Sequence, residues 1–492
     1  MPKLGRDLRP TLRAAAFIVM IMLRRLLAPL VTVAITVLAC TSSSPSIRTT
    51  SPPSPITRPS IVIILTDDQR WDTLRFMPIV RSQIARQGVR FRNAFVVNPT
   101  CCPSRTSLLT GMYSHSTGVY GNRGPNGGFA AFDDRSTLAT WLQDSGYHTA
   151  LFGKYLNGYT KEHSSYVPPG WNKWEAFATR KGNGAYYDYS LSIDGERIKL
   201  GDSPSDYSTT KLAADVVDYI HSTPGPLFIY FAPYAPHAPN TPPPNVVAPK
   251  PGPHNPPSYD EANVSDKPRW VQEKPRLDVT ADRRIDNRTR RQWATLQSVD
   301  RGIGQILQAL RTTGRIDQTM VVFSSDNGLA QGEHRLVGKE SPYEESIRVP
   351  LAIRYDDWNI SRVRHNQMVL NIDLAPTLAE AAGISPPPLE GRSLMPLIEG
   401  RDTDLRRHFL IEHWYRKFGV PNYCAVRGTR FKYIVHSTRE QELYDLKKDS
   451  FELHNLVGDS RYDGVMERMR RILARLCSPA PPRVFLESSA GR

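Results

Sequence analysis

The chain has 492 residues, of which 40% are hydrophobic and 23% are charged. It can therefore form one large α/β domain with a smaller second part, and the composition excludes a mainly disordered or fibrous protein. Lysine and arginine outnumber acidic residues by 63 to 48, and the net charge of +15 favours a nucleic acid, an anionic surface or an anionic substrate.

The N-terminal segment has the pattern of an export signal. Arg24 and Arg25 precede an apolar run, Leu26 to Ala39, that is shorter than the ~20 residues of a membrane-spanning helix. The tetrapeptide 37–40 resembles a bacterial lipobox, so Cys40 is expected either to carry an anchoring lipid or to mark plain cleavage. We predict a signal peptide over 1–40 and an exported protein that is extracellular or anchored to the cell envelope.

The segment that follows the signal and the first strand differ sharply in composition. Residues 41–59 are rich in serine, threonine and proline and predict a tether without a core. Ile61 to Leu65 is a continuous apolar, β-branched run, which is typical of a buried parallel strand, and Asp67 and Asp68 follow it.

Strand and helix patterns then alternate along the chain. This alternation predicts a layered α/β domain with a mainly parallel sheet, in which ligands bind beyond the carboxyl ends of the strands. The predicted elements are helices over 77–87, 136–145, 209–221 and 289–311, and strands over 148–152, 226–231 and 320–324.

Two later regions have a different character. Residues 240–268 are rich in proline and predict a long irregular surface insertion. After residue 400, alternating runs such as 423–427 and 431–435 predict a small antiparallel sheet, and a helical pattern over 464–476 follows. We therefore divide the body into a catalytic domain over 60–400 and a C-terminal subdomain over 401–492.

The strongest functional signal is the stretch Pro99 to Gly111, which reads PTCCPSRTSLLTG. Its core, Cys-x-Pro-Ser-Arg followed by an apolar pair, Thr and Gly, resembles the signature of the sulfatase family, the formylglycine-dependent branch of the alkaline phosphatase superfamily. The resemblance implies an alkaline-phosphatase-like α/β/α sandwich with a mainly parallel mixed sheet. It also implies that a formylglycine-generating enzyme converts Cys101 to formylglycine during maturation.

The chemistry of sulfate ester cleavage explains this modification. A thiol that attacked sulfur would leave an adduct with no easy exit, whereas a hydrated aldehyde offers two hydroxyl groups. One hydroxyl attacks sulfur and expels the alcohol; the other then loses its proton, and sulfate leaves as the aldehyde re-forms.

A metal site is implied by polar residues at two strand ends. Alone, Asp67 and Asp68 would be typical of a solvated turn or a helix cap. With the signature present, they resemble half of the family's ligand set, which Asp326 and Asn327 complete after a later strand. These four residues and modified Cys101 are expected to hold one Ca²⁺, a cation that prefers oxygen ligands.

The family resemblance assigns further roles residue by residue. Arg105 corresponds to the signature arginine that steadies formylglycine, and Lys154 and Lys339 correspond to lysines that contact the sulfate. His237, in Ala-Pro-His-Ala-Pro, corresponds to the general acid near the leaving oxygen. Where many sulfatases have a histidine base after the first lysine, this chain has Leu156 and Asn157, so His115 is proposed as the substitute, ahead of His334.

Further motifs narrow the branch. Gly153 to Asn157 and the Cys-Cys pair resemble N-acetylglucosamine-6-sulfatases and extracellular heparan endosulfatases, which implies a 6-O-sulfated amino sugar as substrate. The alternatives are a phosphate or phosphonate monoester hydrolase of the same superfamily, and a catalytically silent lipoprotein that binds sulfated glycans. No nucleic-acid partner is expected, because the basic residues are dispersed and no recognised module is present. Cys424 and Cys477 either pair, as export would permit, or remain thiols.

Overall fold

A ten-stranded sheet forms the centre of the computed structural model, which describes residues 58–179, 185–249, 256–358, 363–401, 404–414 and 419–484. The predicted signal peptide, Cys40 and the tether up to residue 57 lie outside these ranges. The strands are β1 Ser60–Thr66, β2 Val89–Phe95, β3 His148–Gly153, β4 Lys173–Phe177, β5 Ser190–Ile193, β6 Glu196–Lys199, β7 Leu227–Ala232, β8 Thr319–Ser325, β9 Ala330–Gln331, β10 Val337–Gly338, β11 Arg348–Arg354, β12 Val363–Leu370, β13 His408–His413, β14 Tyr423–Gly428, β15 Phe431–His436 and β16 Gln441–Asp445.

The large sheet is mixed, as the family resemblance implied. Its order is β12-β2-β11-β8-β1-β7-β3-β4-β5-β6. The five central strands β8, β1, β7, β3 and β4 are parallel to their neighbours in this group, whereas β11 runs antiparallel to both β2 and β8. The carboxyl ends of the central strands therefore meet at one edge of the sheet.

Helices cover both faces of this sheet. Along β1, Ile61 and Ile63 contribute to one hydrophobic cluster and Val62 and Ile64 to another, because successive side chains point to opposite faces. The helices are α1 Cys101–Thr110, α2 Ser114–Thr117, α3 Leu138–Asp144, α4 Ser208–Ser222, α5 Arg269–Gln272, α6 Val279–Thr312, α7 Glu344–Ile347, α8 Leu374–Ala381, α9 Met395–Ile398 and α10 Asp463–Leu476.

The two layers can be assigned from the buried residues. Leucines of α1, α3 and α8 belong to the first cluster, and apolar residues of α4 and α6 belong to the second. The α/β/α sandwich is therefore confirmed. Among the described residues, no helix combines the length and the apolar character needed to cross a membrane.

Several predicted boundaries need correction. The helix predicted over 77–87 is a short π-helix, Val80–Ala85. The helix predicted over 289–311 is α6, which begins ten residues earlier. The charged stretch before residue 289 has little apolar periodicity, but the side chain of Asp278 accepts a hydrogen bond from the Ala281 amide and caps the helix. Within 240–268, the described residues form no helix or strand, apart from an isolated bridge between Tyr259 and Glu333.

The predicted C-terminal sheet is also confirmed. Strands β13 to β16 pair in sequence order, all antiparallel, and α10 packs on them. A disulfide joins Cys424 in β14 to Cys477 at the end of α10, so of the two alternatives left open by the sequence the paired one is observed. Phe95 and Phe409 share one hydrophobic cluster, which shows that the small sheet packs against residues of the large one.

Candidate active site

The carboxyl ends of β1 and β8 bring together the predicted metal ligands. The two strands are adjacent and parallel, with Thr66 opposite Ser325. Asp67 and Asp68 therefore emerge beside Asp326, whose amide donates to the Thr66 carbonyl over 3.0 Å. All three carboxylates are buried.

Cys101 reaches the same point from a helix that covers one face of the sheet. It lies in the first turn of that helix, α1. Its Sγ lies 3.5 Å from Asp67 Oδ1. One ligand atom from each of four residues lies within 4.8 Å of the others, and these residues are Asp67, Asp68, Cys101 and Asp326. The predicted cluster is therefore formed, and the side chain at position 101 is aimed into it.

Two asparagines hold α1 in this position. Asn122 Oδ1 accepts a hydrogen bond of 2.9 Å from the Cys102 amide, one of the unpaired amides of the first turn. Asn371 Nδ2 donates to the carbonyl and the hydroxyl of Ser104, each over 3.0 Å. Neither asparagine was predicted, since each lies outside the recognised motifs and acts on the backbone from a different loop.

Two buried lysines contact the cluster. Lys154 follows β3, and its Nζ lies 2.5 Å from Asp67 Oδ2. Lys339 follows β10, and its Nζ contacts both Asp68 Oδ1 and Cys101 Sγ. The chain reaches Lys154 through Gly153, which has a φ of +116°, and a Cβ there would lie 2.1 Å from the Ala232 carbonyl oxygen.

Arg105 supplies a third buried cation. Its Nε donates to Asp326 Oδ2 over 2.9 Å, and another nitrogen donates to the Lys154 carbonyl over 2.8 Å. The arginine therefore ties α1 to the end of β8 and to the loop after β3. Three carboxylates and three basic side chains meet at this centre, so their formal charges cancel.

Burial and ion pairing shift the pKa values in opposite directions. Burial acts to raise the pKa of Asp67, but the surrounding cations, with Lys154 first, hold it well below its usual range. The pKa of Asp326 is raised, because burial and the nearby Asp67 carboxylate outweigh Arg105. Burial raises the pKa of the Cys101 thiol to about 12 despite both lysines. An unmodified thiol here is therefore protonated at neutral pH and is a poor nucleophile.

The residues present fit a hard divalent cation. Three carboxylates offer oxygen atoms at one buried point, where burial first and then the Asp67 carboxylate raise the pKa of Asp326. Asn327 adds an amide group, whose Nδ2 donates to Asp68 Oδ1 over 2.7 Å. Such a set of oxygen donors suits Ca²⁺ or Mg²⁺ rather than a softer metal.

His237 lies at the rim of the cluster. Its Nε2 is 3.7 Å from Asp68 Oδ2, and its Nδ1 lies 2.7 Å from the Ala238 carbonyl oxygen. Two tyrosines hold this loop. Tyr186 donates to the His237 carbonyl over 2.7 Å, and Tyr234 donates to the Ala238 carbonyl over 2.6 Å.

The geometry does not favour His115 as the substitute base. Its Nδ1 lies 3.1 Å from Glu412 Oε1 and its Nε2 lies 3.3 Å from Glu390 Oε1. Burial acts to lower the pKa of His115, but the hydrogen bonds to Glu390 and Glu412 raise it to about 10. A ring that is already protonated, with a carboxylate at each nitrogen, cannot accept a further proton.

The other two polar candidates also have structural partners. His334 is buried, and its Nδ1 lies 2.6 Å from Glu261 Oε2. Asn157 lies in the position of the missing histidine, and its side-chain Oδ1 accepts from Cys102 Sγ over 3.5 Å. Neither His115 nor His334 therefore has the contacts expected of that base.

Comparisons with known proteins agree with this geometry. The family model described as Sulfatase matches residues 59–384, and the model for the C-terminal part of N-sulphoglucosamine sulphohydrolase matches residues 332–478. The chain belongs to the sulfatase family. The first match covers the ten-stranded sheet, helices α1 to α8 and every candidate residue of the buried cluster.

Curated relatives carry related names. The chain is 36% identical over 375 residues to the extracellular sulfatase SULF-1 homolog of Drosophila melanogaster, covering 72% of this chain and 33% of that protein. It is 33% identical over 396 residues to human N-acetylglucosamine-6-sulfatase, covering 72% and 67%. The chain thus spans only about a third of the fly sulfatase and 51% of a Caenorhabditis elegans relative.

Solved structures share the fold. A protein in complex with its substrate D-glucosamine-2-N,6-O-disulfate aligns with a TM-score of 0.71 at 23% identity, covering 87% of this chain and 99% of that chain. The phosphonate monoester hydrolase of Agrobacterium radiobacter aligns with a TM-score of 0.70 at 22% identity, covering 86% and 96%. At these identities the alignments establish the architecture alone.

Proposed function

We propose that this protein hydrolyses sulfate esters of a sulfated carbohydrate, with a 6-O-sulfated N-acetylglucosamine residue as the preferred target. The observation that carries the proposal is the convergence of Cys101, three carboxylates and two lysines at one buried point. The relatives named N-acetylglucosamine-6-sulfatase and extracellular sulfatase support the choice of substrate class.

In this proposal the nucleophile is formed from Cys101. A formylglycine-generating enzyme oxidises the side chain to an aldehyde, and water adds to give a geminal diol. One hydroxyl attacks the sulfur, and the bond from sulfur to the sugar oxygen breaks. The second hydroxyl then loses its proton, the bond from carbon to the bridging oxygen breaks, and sulfate leaves with the aldehyde restored.

The acidic residues of the cluster would hold one divalent cation, for which Ca²⁺ is our choice. Asp67, Asp68, Asp326 and Asn327 provide the oxygen atoms, together with the modified side chain at 101. When bound, the cation would neutralise negative charge on the sulfate and favour ionisation of the nucleophilic hydroxyl.

The basic residues would bind the sulfate group and protonate the leaving oxygen. The centre is electrically balanced without a cation, so a bound Ca²⁺ would leave a net positive charge that attracts a sulfate ester. Lys154 pairs with Asp67 and Lys339 contacts Cys101, so both ammonium groups are positioned to contact sulfate oxygens. His237, at the rim, is placed to protonate the departing sugar oxygen.

The modified residue provides the direct test. Mass spectrometry of the peptide containing Cys101, from protein made in its own host, should show the lower mass of formylglycine, and the aldehyde should trap an amine reagent. Cys101→Ala should abolish sulfate release from N-acetylglucosamine 6-sulfate, whereas Cys102→Ser, its neighbour in the chain, should keep it. An intact thiol at position 101 in active protein would overturn the mechanism.

The chain shares its fold with a phosphonate monoester hydrolase, so hydrolysis of phosphate or phosphonate monoesters is the second candidate activity. Two buried lysines at one anionic centre favour sulfate, so turnover of an aryl sulfate should exceed turnover of the matching phosphate and phosphonate esters. Faster phosphonate cleavage would favour the other esterase. Tight glycan binding without sulfate release would identify a silent binding protein.

We further propose that the protein is exported and that its body has two parts, 60–400 and 401–492. The relatives named as extracellular sulfatases support export. The separate pairing of β13 to β16 supports the division. Metabolic labelling with a fatty acid, compared between the native chain and Cys40→Ser, would decide whether Cys40 carries a lipid.

A further inference from the structure

The N-terminal half of α6 projects beyond the sheet at the edge where the active site lies. With 34 residues, α6 is about 51 Å long, whereas the seven residues of β8 span about 23 Å. Six residues separate the end of the helix from the start of β8, so the helix runs back along the sheet, with its N-terminus beyond the carboxyl ends of the strands. Its sheet-facing leucines and isoleucines begin only at Leu296.

This projecting half is attached to both catalytic loops. On one flank, Arg291 Nε donates to the Asn240 carbonyl over 3.0 Å, and the Asn240 amide donates to the His237 carbonyl. On the other flank, Asp282 accepts a hydrogen bond from Tyr259, whose ring packs against Gly332. Gly332 lies in the turn between β9 and β10, which leads to Lys339.

The outer face of this segment is strongly basic. Five arginines lie within nine residues, and we call them the arginine surface: Arg283, Arg284, Arg288, Arg290 and Arg291. Only Asp282 and Asp286 oppose them between residues 279 and 292, and Asp282 is engaged by Tyr259. Arg283, Arg284 and Arg290 are exposed and have no carboxylate partner in the part of the chain that the structure describes.

We propose that the arginine surface binds the sulfated polysaccharide chain that continues outward from the residue held in the active site. This inference rests on the proposed function and adds a polymer-binding site to it. Guanidinium groups form paired hydrogen bonds with anionic oxygens, and sulfates recur along such a polymer. The surface begins beside the loops that carry His237 and Lys339, so a chain leaving the centre meets it directly.

The chemistry of the segment favours a sulfated glycan over a nucleic acid. Surfaces that bind single-stranded nucleic acids combine basic residues with exposed aromatic side chains on which bases stack. Between residues 279 and 292 there is no aromatic residue, and Trp293 is buried and stacked on Phe76. The arginines therefore offer charge and hydrogen bonds without a stacking platform.

Oligosaccharide length provides the test. The triple variant Arg283→Gln, Arg284→Gln and Arg290→Gln leaves the hydrogen bond of Arg291 in place. Three exposed ionic contacts together should change affinity about tenfold. We therefore expect KM for a heparin dodecasaccharide to rise about tenfold in this variant, with kcat unchanged. The kinetic constants for a heparin disaccharide and for 4-nitrocatechol sulfate should remain those of the wild-type protein.

A second variant controls for charge alone. Arg468→Gln, Arg471→Gln and Arg475→Gln remove the same charge from α10, which packs on the small C-terminal sheet. This variant should keep the wild-type KM for the dodecasaccharide. An equal loss in both variants would overturn the proposal, as would an unchanged KM in the α6 variant.

Binding measurements separate this inference from the proposed function. If protein carrying formylglycine cleaves no sulfate ester, the proposed function fails. Fluorescence anisotropy of a labelled heparin dodecasaccharide still tests the surface, because the α6 variant should bind it about tenfold more weakly. Duplex DNA that binds the wild-type protein as tightly, and loses as much affinity in the variant, would overturn the assignment to a sulfated glycan.

Discussion

At the scale of single residues, Asp326 has two roles, as a candidate metal ligand and as the ion-pair partner of Arg105. It is one of the clustered carboxylates, and it is the counter-ion of the fully buried Arg105. Asp326→Ala should therefore remove the metal and the activity together. It should also lower the free energy of unfolding by about 3–5 kcal/mol, because a buried cation is left unpaired.

Asp326→Asn distinguishes the two roles. The amide oxygen can still accept the Arg105 hydrogen bond, so we expect the same loss of metal and turnover with a smaller loss of stability. Metal content, sulfate release and urea unfolding should be measured on both variants, with the exposed Asp133→Asn as the control. Full metal content in Asp326→Ala would contradict the ligand assignment.

The two buried lysines support a second prediction at this scale. Each ammonium group is within hydrogen-bonding reach of the cluster, where a sulfate oxygen would bind. Lys154→Met and Lys339→Met should each lower kcat by about 10²–10³-fold, the usual cost of removing one preorganised contact to a developing charge. Lys173→Met, which removes a lysine paired with Asp194 away from the cluster, should leave kcat unchanged.

At the scale of elements, the disulfide fastens α10 to the small sheet. Cys424 and Cys477 are 53 residues apart in sequence, so the bond restricts a long loop of the unfolded chain. Loop-closure entropy predicts that Cys424→Ser with Cys477→Ser lowers the free energy of unfolding by about 4 kcal/mol. The urea midpoint of the wild-type protein should fall on reduction, and the variant should not respond. If reduction lowered the urea midpoint of the variant by the same amount, the loss of stability would not come from the Cys424–Cys477 disulfide.

The elements of this fold differ in how far the sequence could predict them. Apolar strands such as β1 and β8 were found because both faces are buried and every residue is hydrophobic or small. Strand β6, Glu196–Lys199, was missed, since it lies at the sheet edge with all four residues exposed. The first ten residues of α6 were missed because their contacts are polar and come from distant loops.

The residues of the candidate active site also differ in how far the sequence could predict their positions. Asp67 and Asp326 could be placed together from the sequence, because polar residues that follow adjacent parallel strands must meet. The expectation for His115 was less successful, since the decisive contact is with Glu412, which is 297 residues away in β13. A carboxylate delivered by a different sheet leaves no local signal beside the histidine.

At the scale of the whole molecule, His115 joins the small sheet to a helical layer of the large domain. It lies in α2, near the end of the signature helix, and it pairs with Glu412 in β13 and with Glu390 in the loop before α9. Tyr113 stacks on its ring. The ion pairs therefore fasten the small sheet to the layer of helices that carries Cys101, and their strength depends on the charge of His115.

This charge makes the connection sensitive to pH. Burial opposes protonation of His115, but Glu390 and Glu412 raise its pKa from 6.5 to about 10 in the folded protein. A group with a raised pKa stabilises the folded state fully below the unfolded pKa, and this contribution is lost as pH rises through the folded pKa. The wild-type protein should therefore lose stability relative to His115→Gln between about pH 6.5 and pH 10. Urea midpoints measured across this range for both proteins test the prediction. Parallel pH profiles would show that folding does not raise the pKa of His115, and would reopen its candidacy as the base.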